Sequence, residues 1–413
     1  MGKKEMKKVV VVGGSIAGLS CAHAFLKAKG WEVVVLEKAR SVSSAGAGLG
    51  LDPESCDALK DWGIGDGLLQ QSLPLSIEED RAIDSNRQAH IVARDESYNH
   101  RAVHWSDLHR LLYNALPAGI VQLGHEVISY EEESGVGPDK EPQVKVRVKK
   151  VAGSDDENNI QEYTGDLMVA ADGSMSQTRE KNFPGEKRRY SGYCAWRGVL
   201  DGSTESNAAA MVRRVYPDLG RCLYFDIAQG THSVLYELPG GRLNWLWYIN
   251  QPEPHLKGKS VTVKADEKAL AALHEQASKT WVPELATLMQ ATTDPFINAI
   301  FDREPLSKFV WGRVVLVGEA AHPTTPHGLR STNMSIVDAY TLGNAIQNRR
   351  LQGIDAALQE YESRRVLVTA QQVLFSRHLG QLKQGLLLPE KFSWISADQK
   401  IRSGLLQQNM HSF

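Results

Sequence analysis

The chain has little cysteine, almost no net charge and no long apolar run. Four cysteines, Cys21, Cys56, Cys194 and Cys222, are spread over 413 residues. None is spaced as C-x-x-C and none has histidines at zinc-ligand spacing, so neither a disulfide framework nor a metal site organises the fold, and no metal is expected. Lys and Arg number 47 against 49 Asp and Glu, a formal charge of -2. That field is too weak to gather nucleic acid or an acidic membrane surface. The basic lead-in, Lys3, Lys4, Lys7 and Lys8 around Glu5, reads as a solvated approach to the first strand. No stretch reaches the roughly 18 apolar residues of a membrane span. The N-terminus has neither an apolar signal core nor an arginine- and serine-rich transit segment, so a cytoplasmic protein is expected. No fixed-period repeat or low-complexity linker is present. What is present is 42% hydrophobic residues, enough for a sizeable core in a chain of one elaborated domain or two.

Residues 9–12 are a β-branched run ending at Gly13-Gly14, the pattern of a strand buried on both faces. Residues 20–29 read as a helix stopped by Gly30, and 32–36 as the next strand. This is a βαβ unit of nucleotide-binding size. Residues 46–50, Gly-Ala-Gly-Leu-Gly, read as a loop before a helix at 53–62, and 105–116 as a further helix. Residues 144–148 alternate Val with Lys and Arg, a half-exposed strand; 153–159 read as a polar hairpin loop, and 167–171 as a buried strand. From 190 to 249 aromatic and β-branched alternation predicts a mainly antiparallel sheet. Residues 264–290 read as helical, 314–317 as a buried strand, and 333–384 as helix interrupted at Gly353.

The first chemical motif is Gly13-Gly14-Ser15-Ile16-Ala17-Gly18, between a strand and a helix. Dinucleotide folds need glycine where the turn is tight, where backbone approaches the pyrophosphate and where helix meets strand. Gly13 and Gly18 meet the first and third needs; Ser15 stands at the second. The helix N-terminus beyond them offers N–H groups and a positive dipole end to a phosphate. Glu37, followed by Lys38, lies 24 residues after Gly13, where an acid would hold an adenosine ribose.

Two later segments choose the cofactor. One is Asp172-Gly173-Ser174-Met175-Ser176-Gln177-Thr178-Arg179. The other is Gly318-Glu319-Ala320-Ala321-His322-Pro323, continuing to Pro326, Gly328, Asn333 and Asp338. With these the sequence resembles the FAD-dependent aromatic hydroxylases, the para-hydroxybenzoate hydroxylase-like monooxygenases. Their three fingerprints, GxGxxG, D-G-x-x-S-x-x-R and G-D-A-A-H with a proline–glycine loop, occur here in family order. The resemblance runs from residue 9 to about 350. It implies that the acid of the last segment bonds an FAD hydroxyl, and that the middle segment serves both FAD and the nicotinamide donor. Glu319 stands where Asp is usual, Leu329 and Ser331 where glycines are common, and Trp105 where an arginine often contacts FAD.

The implied fold is α/β: a Rossmann-like FAD-binding domain with an inserted, mainly antiparallel substrate sheet and a helical C-terminal region. The expected division is FAD-binding at 1–80, 105–185 and 301–413, with substrate-domain segments at 81–104 and 186–300. The implied activity is hydroxylation of a small electron-rich aromatic or heteroaromatic compound with NADPH or NADH, O2 and a flavin C4a-hydroperoxide. Epoxidation on the same scaffold, reduction without oxygen, and flavin binding without catalysis are the alternatives. Expected FAD contacts are Gly13, Ser15, Ile16, Ala17, Gly18, Glu37, Lys38, Gly48, Leu49, Trp105, Asp172, Gly173, Arg179, Gly318 and Glu319, with the N–H groups of Ser331, Thr332 and Asn333 facing the reduced ring. Pro326, His327 and Gly328 form the expected catalytic loop. Expected substrate contacts are Arg197, Tyr224, Trp245 and Trp247; Trp245 and Trp247 alternate and so share a strand face.

Overall fold

The computed structural model describes residues 6–42, 46–133, 141–151, 160–202, 207–256, 261–389 and 392–407. The hairpin expected at 153–159, and Lys3, Lys4 and Glu5 of the basic lead-in, lie outside the described residues.

The β-branched runs form the centre of a six-stranded sheet. In space its order is Val310–Trp311, Val314–Leu316, Leu167–Ala170, Lys7–Val12, Trp31–Glu37 and Val121–Leu123. All neighbours are parallel except the first pair. Val9 lies opposite both Leu167 and Val33. Parallel strands covered on both faces need continuous apolar sequence, and these have it. The helix Ile16–Ala28 packs against the helix Arg330–Asn348, close enough that a Cβ on Gly343 would press on Ala24.

A second sheet of eight strands runs Thr262–Lys264, Phe296–Asp302, Arg189–Leu200, Arg242–Asn250, Thr231–Leu238, Cys222–Ala228, Ile77–Ile83 and Ala89–Asp95. Its pairs are antiparallel except that Cys222–Ala228 runs parallel to Ile77–Ile83, with Tyr224 opposite Glu79. Its two outermost strands at one edge thus come from far upstream in the chain. The helices Asn207–Val215, Glu267–Thr280 and Pro283–Ala291 pack over one face of it, the first of them inside the stretch read as all sheet. The opposite face looks toward the first sheet.

Between the two lies a three-stranded antiparallel sheet, Gly48–Leu51, His100–His104 and Ser72–Leu75. Residues 48–51 are therefore strand rather than the expected loop. Glycine is what permits this strand to sit so close to its neighbours: a Cβ on Gly48 would meet Tyr236 and Asn244, and one on Gly50 would meet Leu329. A meander of His125–Glu133, Gln143–Lys150 and Ile160–Gly165 completes the strands among the described residues; Val144, Val146 and Val148 point inward as their alternation predicts. The helix breaks at Gly353, and Ile354–Lys383 returns along the molecule toward the second sheet. No helix among the described residues is long and apolar enough to cross a membrane.

Candidate active site

The glycine loop is forced by close approach. Gly13 has φ +103°, and a Cβ there would collide with the Ala171 carbonyl; a Cβ on Gly18 would collide with the Gly13 carbonyl. Ser15 is exposed at the N-cap of Ile16–Ala28, its side chain makes no cap bond, and no acid occupies the first turn. The Ile16 and Ala17 end of this helix therefore keeps an anion-attracting terminus. Glu37 reaches back to the loop. Its Oε2 accepts from Gly14 N–H at 2.7 Å and its Oε1 from Ala39 N–H at 2.7 Å. Lys38 is exposed beside it. His109, which the sequence did not single out, braces the other side: its ring nitrogen bonds the Gly14 carbonyl at 2.7 Å, and its ring stacks on Trp105 with centroids 4.8 Å apart. Only the four-residue helical spacing from Trp105 could have signalled it.

The turn Gly318–Ala320 is held from several sides. Gly318 N–H donates to Asp338 Oδ2 at 2.8 Å, and His322 bonds the same oxygen at 2.5 Å. Arg365 donates to the other Asp338 oxygen at 2.7 Å. Arg179 is fully buried and donates to the carbonyls of Glu319, Ala320 and Ser174. Arg179 is thus placed beneath the turn rather than on an open surface: both terminal nitrogens are spent on backbone carbonyls, and its Nε lies 3.7 Å from Glu186 Oε2. His322 is likewise a structural group. Asp172 accepts from the Thr178 N–H and hydroxyl, and Gly173 takes φ +79°. The Asn333 side chain is spent internally, donating to the Gly50 and Leu329 carbonyls and accepting from Asp52 N–H. It ties the strand Gly48–Leu51 to the first turn of Arg330–Asn348.

A cleft of about 360 Å³ opens between that turn and the second sheet. It brings together Gly48, Leu49, Trp105, Arg197, Glu319, Pro326, His327, Ser331 and Thr332. Gly328, at φ +74°, turns the loop between them, and Leu329 follows in the left-handed region at φ +56°. Tyr224, Trp245 and Trp247 are not brought there. They pack on the far face with Trp281 and Leu285, and Trp245 Nε1 donates to Thr292 Oγ1 at 2.8 Å. The reason is strand alternation: the next residues along, Phe225, Leu246 and Tyr248, face the cleft with Val234 and Tyr236. The sequence showed that two faces exist but not which one is covered by helices.

His327 contributes an uncharged ring. Its Nε2 lies 3.2 Å from His232 Nε2, whose Nδ1 is 2.7 Å from Gln384 Oε1. Gln384 donates its own amide to Asn250 Oδ1, so its oxygen is the acceptor. His232 then carries its proton on Nδ1, and His327 donates from Nε2. Burial, with Lys383 and Arg197 nearby, pulls His327 down to about 3. His232 is lowered by burial and by His327. Neither ring is a cation near neutral pH.

The residues fit FAD. The cradle at Gly13 and Gly18 is one that Cβ atoms would fill, the helix terminus beyond it is open, and a carboxylate stands at each of the two other expected positions. Bound FAD supplies the electron transfer and oxygen chemistry; NAD(P)H is the family's electron donor. The chain matches the model of the FAD binding domain family over residues 6–376. It is 28% identical over 370 residues to 6-hydroxynicotinate 3-monooxygenase of Bordetella bronchiseptica, covering 87% of each chain. It is 28% identical over 391 residues to 3-hydroxybenzoate 6-hydroxylase of Polaromonas naphthalenivorans, covering 91% of this chain and 87% of the relative. Among solved structures it resembles HpxO of Klebsiella pneumoniae complexed with FAD and uric acid, with TM-score 0.79, 24% identity, and coverage of 99% of this chain and 96% of that one. With the family model matched over most of its length, the chain is a member of the FAD-dependent aromatic hydroxylase family, a monooxygenase acting on aromatic compounds.

Proposed function

We propose that the substrate is a small aromatic or heteroaromatic ring bearing an anionic group, and that Arg197 receives that group. The observation that carries this is the state of Arg197. It lines the cleft among Tyr236, Leu246 and Tyr248, and its buried Nε has no hydrogen-bond partner among the described residues. The other arginines of the cleft have carboxylate or ring partners: Arg303, whose Nε is also without a hydrogen bond, has both terminal nitrogens on Glu186 and Glu180, Arg330 is with Asp52, and Arg188 lies over the Phe301 ring, whereas no ion pair engages Arg197 among the described residues. The acids are engaged too, Asp302 by Arg189 and Arg377, and Glu319 by Ser331. A buried guanidinium edge with no acceptor is costly unless a ligand supplies one. The names of the two sequence relatives are those of enzymes acting on aromatic acids, which supports the reading. Apolar burial against Phe225, Leu246 and Tyr248 would hold the ring.

In this reading the start of Ile16–Ala28 would hold the FAD pyrophosphate and Glu37 its ribose. Gly48, Leu49, Trp105 and Glu319, with the N–H groups of Ser331 and Thr332, would hold the remainder. The first sheet holds the cofactor and the second the substrate. The four cysteines are unpaired, which supports a cytosolic setting. The chain's residues bind and orient the ring, exclude water behind Tyr248 and Leu246, and set one positive charge opposite the substrate's negative one. The test is Arg197→Ala and Arg197→Lys assayed on hydroxylated aromatic acids and on their uncharged amides. Losing a charge-assisted bond of about 1.5–3 kcal/mol should raise KM for the acids roughly ten- to a hundredfold. The amides should discriminate little between wild type and variant. Equal losses on acids and amides would overturn the assignment.

A further inference from the structure

Glu319 and Ser331 are both departures from the family pattern, and the fold puts them in contact. Ser331 Oγ donates to Glu319 Oε1 at 2.6 Å, and both residues line the cleft. The backbone on either side is fixed. The Glu319 carbonyl is held by Arg179, and the Gly318 N–H by Asp338. Ser331 sits in the first turn of Arg330–Asn348, which Asn333 fastens to Gly50 and Asp52. What this rigid frame leaves free is the glutamate stem, one carbon longer than the usual aspartate and one torsion looser. Ordering such a stem costs entropy each time it must meet a ligand. A hydroxyl fixed on a rigid helix turn removes that freedom in advance.

We propose that Ser331 is a positioning residue that holds the longer Glu319 carboxylate in place for the FAD hydroxyl it binds, so that the two substitutions form one compensated pair. The inference rests on the reading above that Glu319 contacts FAD. The carboxylate has acceptor capacity to spare: Ser331 uses one site on Oε1, and Oε2 remains for the cofactor. An aspartate at 319 is shorter by one C–C bond, about 1.5 Å, and would stretch the 2.6 Å bond beyond hydrogen-bonding range. The serine is therefore useful only with glutamate. On this account Glu319 and Ser331 are not marks of a decayed flavin site; each makes the other tolerable.

The experiment is a double-mutant cycle on FAD binding, read as the affinity of reconstitution and the rate of FAD release from the diluted holoprotein. Ser331→Ala and Ser331→Gly should weaken FAD about three- to tenfold, the worth of one hydrogen bond. Ser331→Thr, which keeps the hydroxyl, should retain wild-type affinity. In the Glu319→Asp background Ser331→Ala should change affinity less than twofold. Thermal melts of the FAD-free proteins separate helix damage from lost positioning, because Ala keeps the Cβ and the helix while Gly does not. Equal losses from Ser331→Ala in the Glu and Asp backgrounds would overturn the pairing. Tighter FAD binding by Ser331→Ala would also overturn it, showing that the serine competes with the cofactor. If Glu319→Ala itself left FAD affinity unchanged, the cofactor contact would fail, and the pairing with it.

Discussion

Trp245 and Leu246 are neighbours in the chain and belong to different parts of the molecule. Trp245 is fully buried among Trp281, Leu285 and Leu288, while Leu246 faces the cleft. Trp245→Ala should cost about 3–5 kcal/mol of stability and leave KM in the surviving protein nearly unchanged. Leu246→Ala should cost less stability, raise KM, and let more NAD(P)H be oxidised per product formed, because a loosely seated ring misaligns with the cofactor. Denaturant midpoints set against steady-state kinetics check both; a KM effect from Trp245→Ala and none from Leu246→Ala would reverse the faces. The alternation itself was legible in the sequence. Its polarity was not, because both faces are aromatic and the covering helix Asn207–Val215 sits within a stretch that reads as strand. His327 carries a second residue-scale expectation. It stays neutral in the fold down to about 3, whereas an unfolded histidine takes a proton near pH 6.5. Between those values the unfolded chain binds the extra proton, so stability falls as pH falls, by up to about 1.4 kcal/mol per unit from this group. His327→Gln should flatten the decline measured by denaturation between pH 6.5 and 4.5. An unchanged slope would mean the ring titrates normally.

Elements are tied together by buried charge as much as by apolar packing. The long helix Ile354–Lys383 ends with Lys383 Nζ 2.6 Å from Asp80 Oδ1, both groups buried. The ammonium also lies over the Phe225 ring, so the pair stands directly behind the cleft wall. Burial pushes the Asp80 carboxyl up to about 6 against the opposing pull of Lys383. Lys383→Met leaves that carboxylate stranded and should destabilise by about 3–5 kcal/mol. Adding Asp80→Asn should restore part of the loss, since no charge is then left unpaired. Additive losses in the double variant would mean that the two groups do not act as a pair. The helix itself, its break at Gly353 and the strand runs at 9–12 and 167–170 could be read from periodicity. Neither this ion pair nor the strand Gly48–Leu51 could. A glycine-rich segment reads as loop, and only its pairing with His100–His104 and the bulk of Tyr236 and Leu329 over it explain why strand and glycine coincide there.

At the scale of the molecule, three short motifs far apart in sequence come to the same end of one sheet because each follows a strand of it: residues 13–18 after Lys7–Val12, 172–179 after Leu167–Ala170, and 318–323 after Val314–Leu316, the last two reaching the cleft through Ser174, Met175, Glu319 and Pro323. Ligands gather at the carboxyl ends of such strands, which is why this much of the site was legible. Arg179 shows the limit. Its place in a motif was readable, but its burial beneath the Glu319 turn depends on how the strands register. The expected substrate-domain segment at 81–104 includes Ala89–Asp95 and the end of Ile77–Ile83; the parallel pairing of Ile77–Ile83 with Cys222–Ala228 was not legible, since it leaves no local mark. The most direct measurement is turnover of a hydroxylated aromatic acid by the FAD-loaded protein with NAD(P)H under isotopically heavy O2, followed by mass spectrometry of the product. One heavy oxygen atom should appear in the ring product, and none when the label is in water instead. Label arriving from water, or NAD(P)H consumption with no oxygenated product for any aromatic acid, would contradict a monooxygenase.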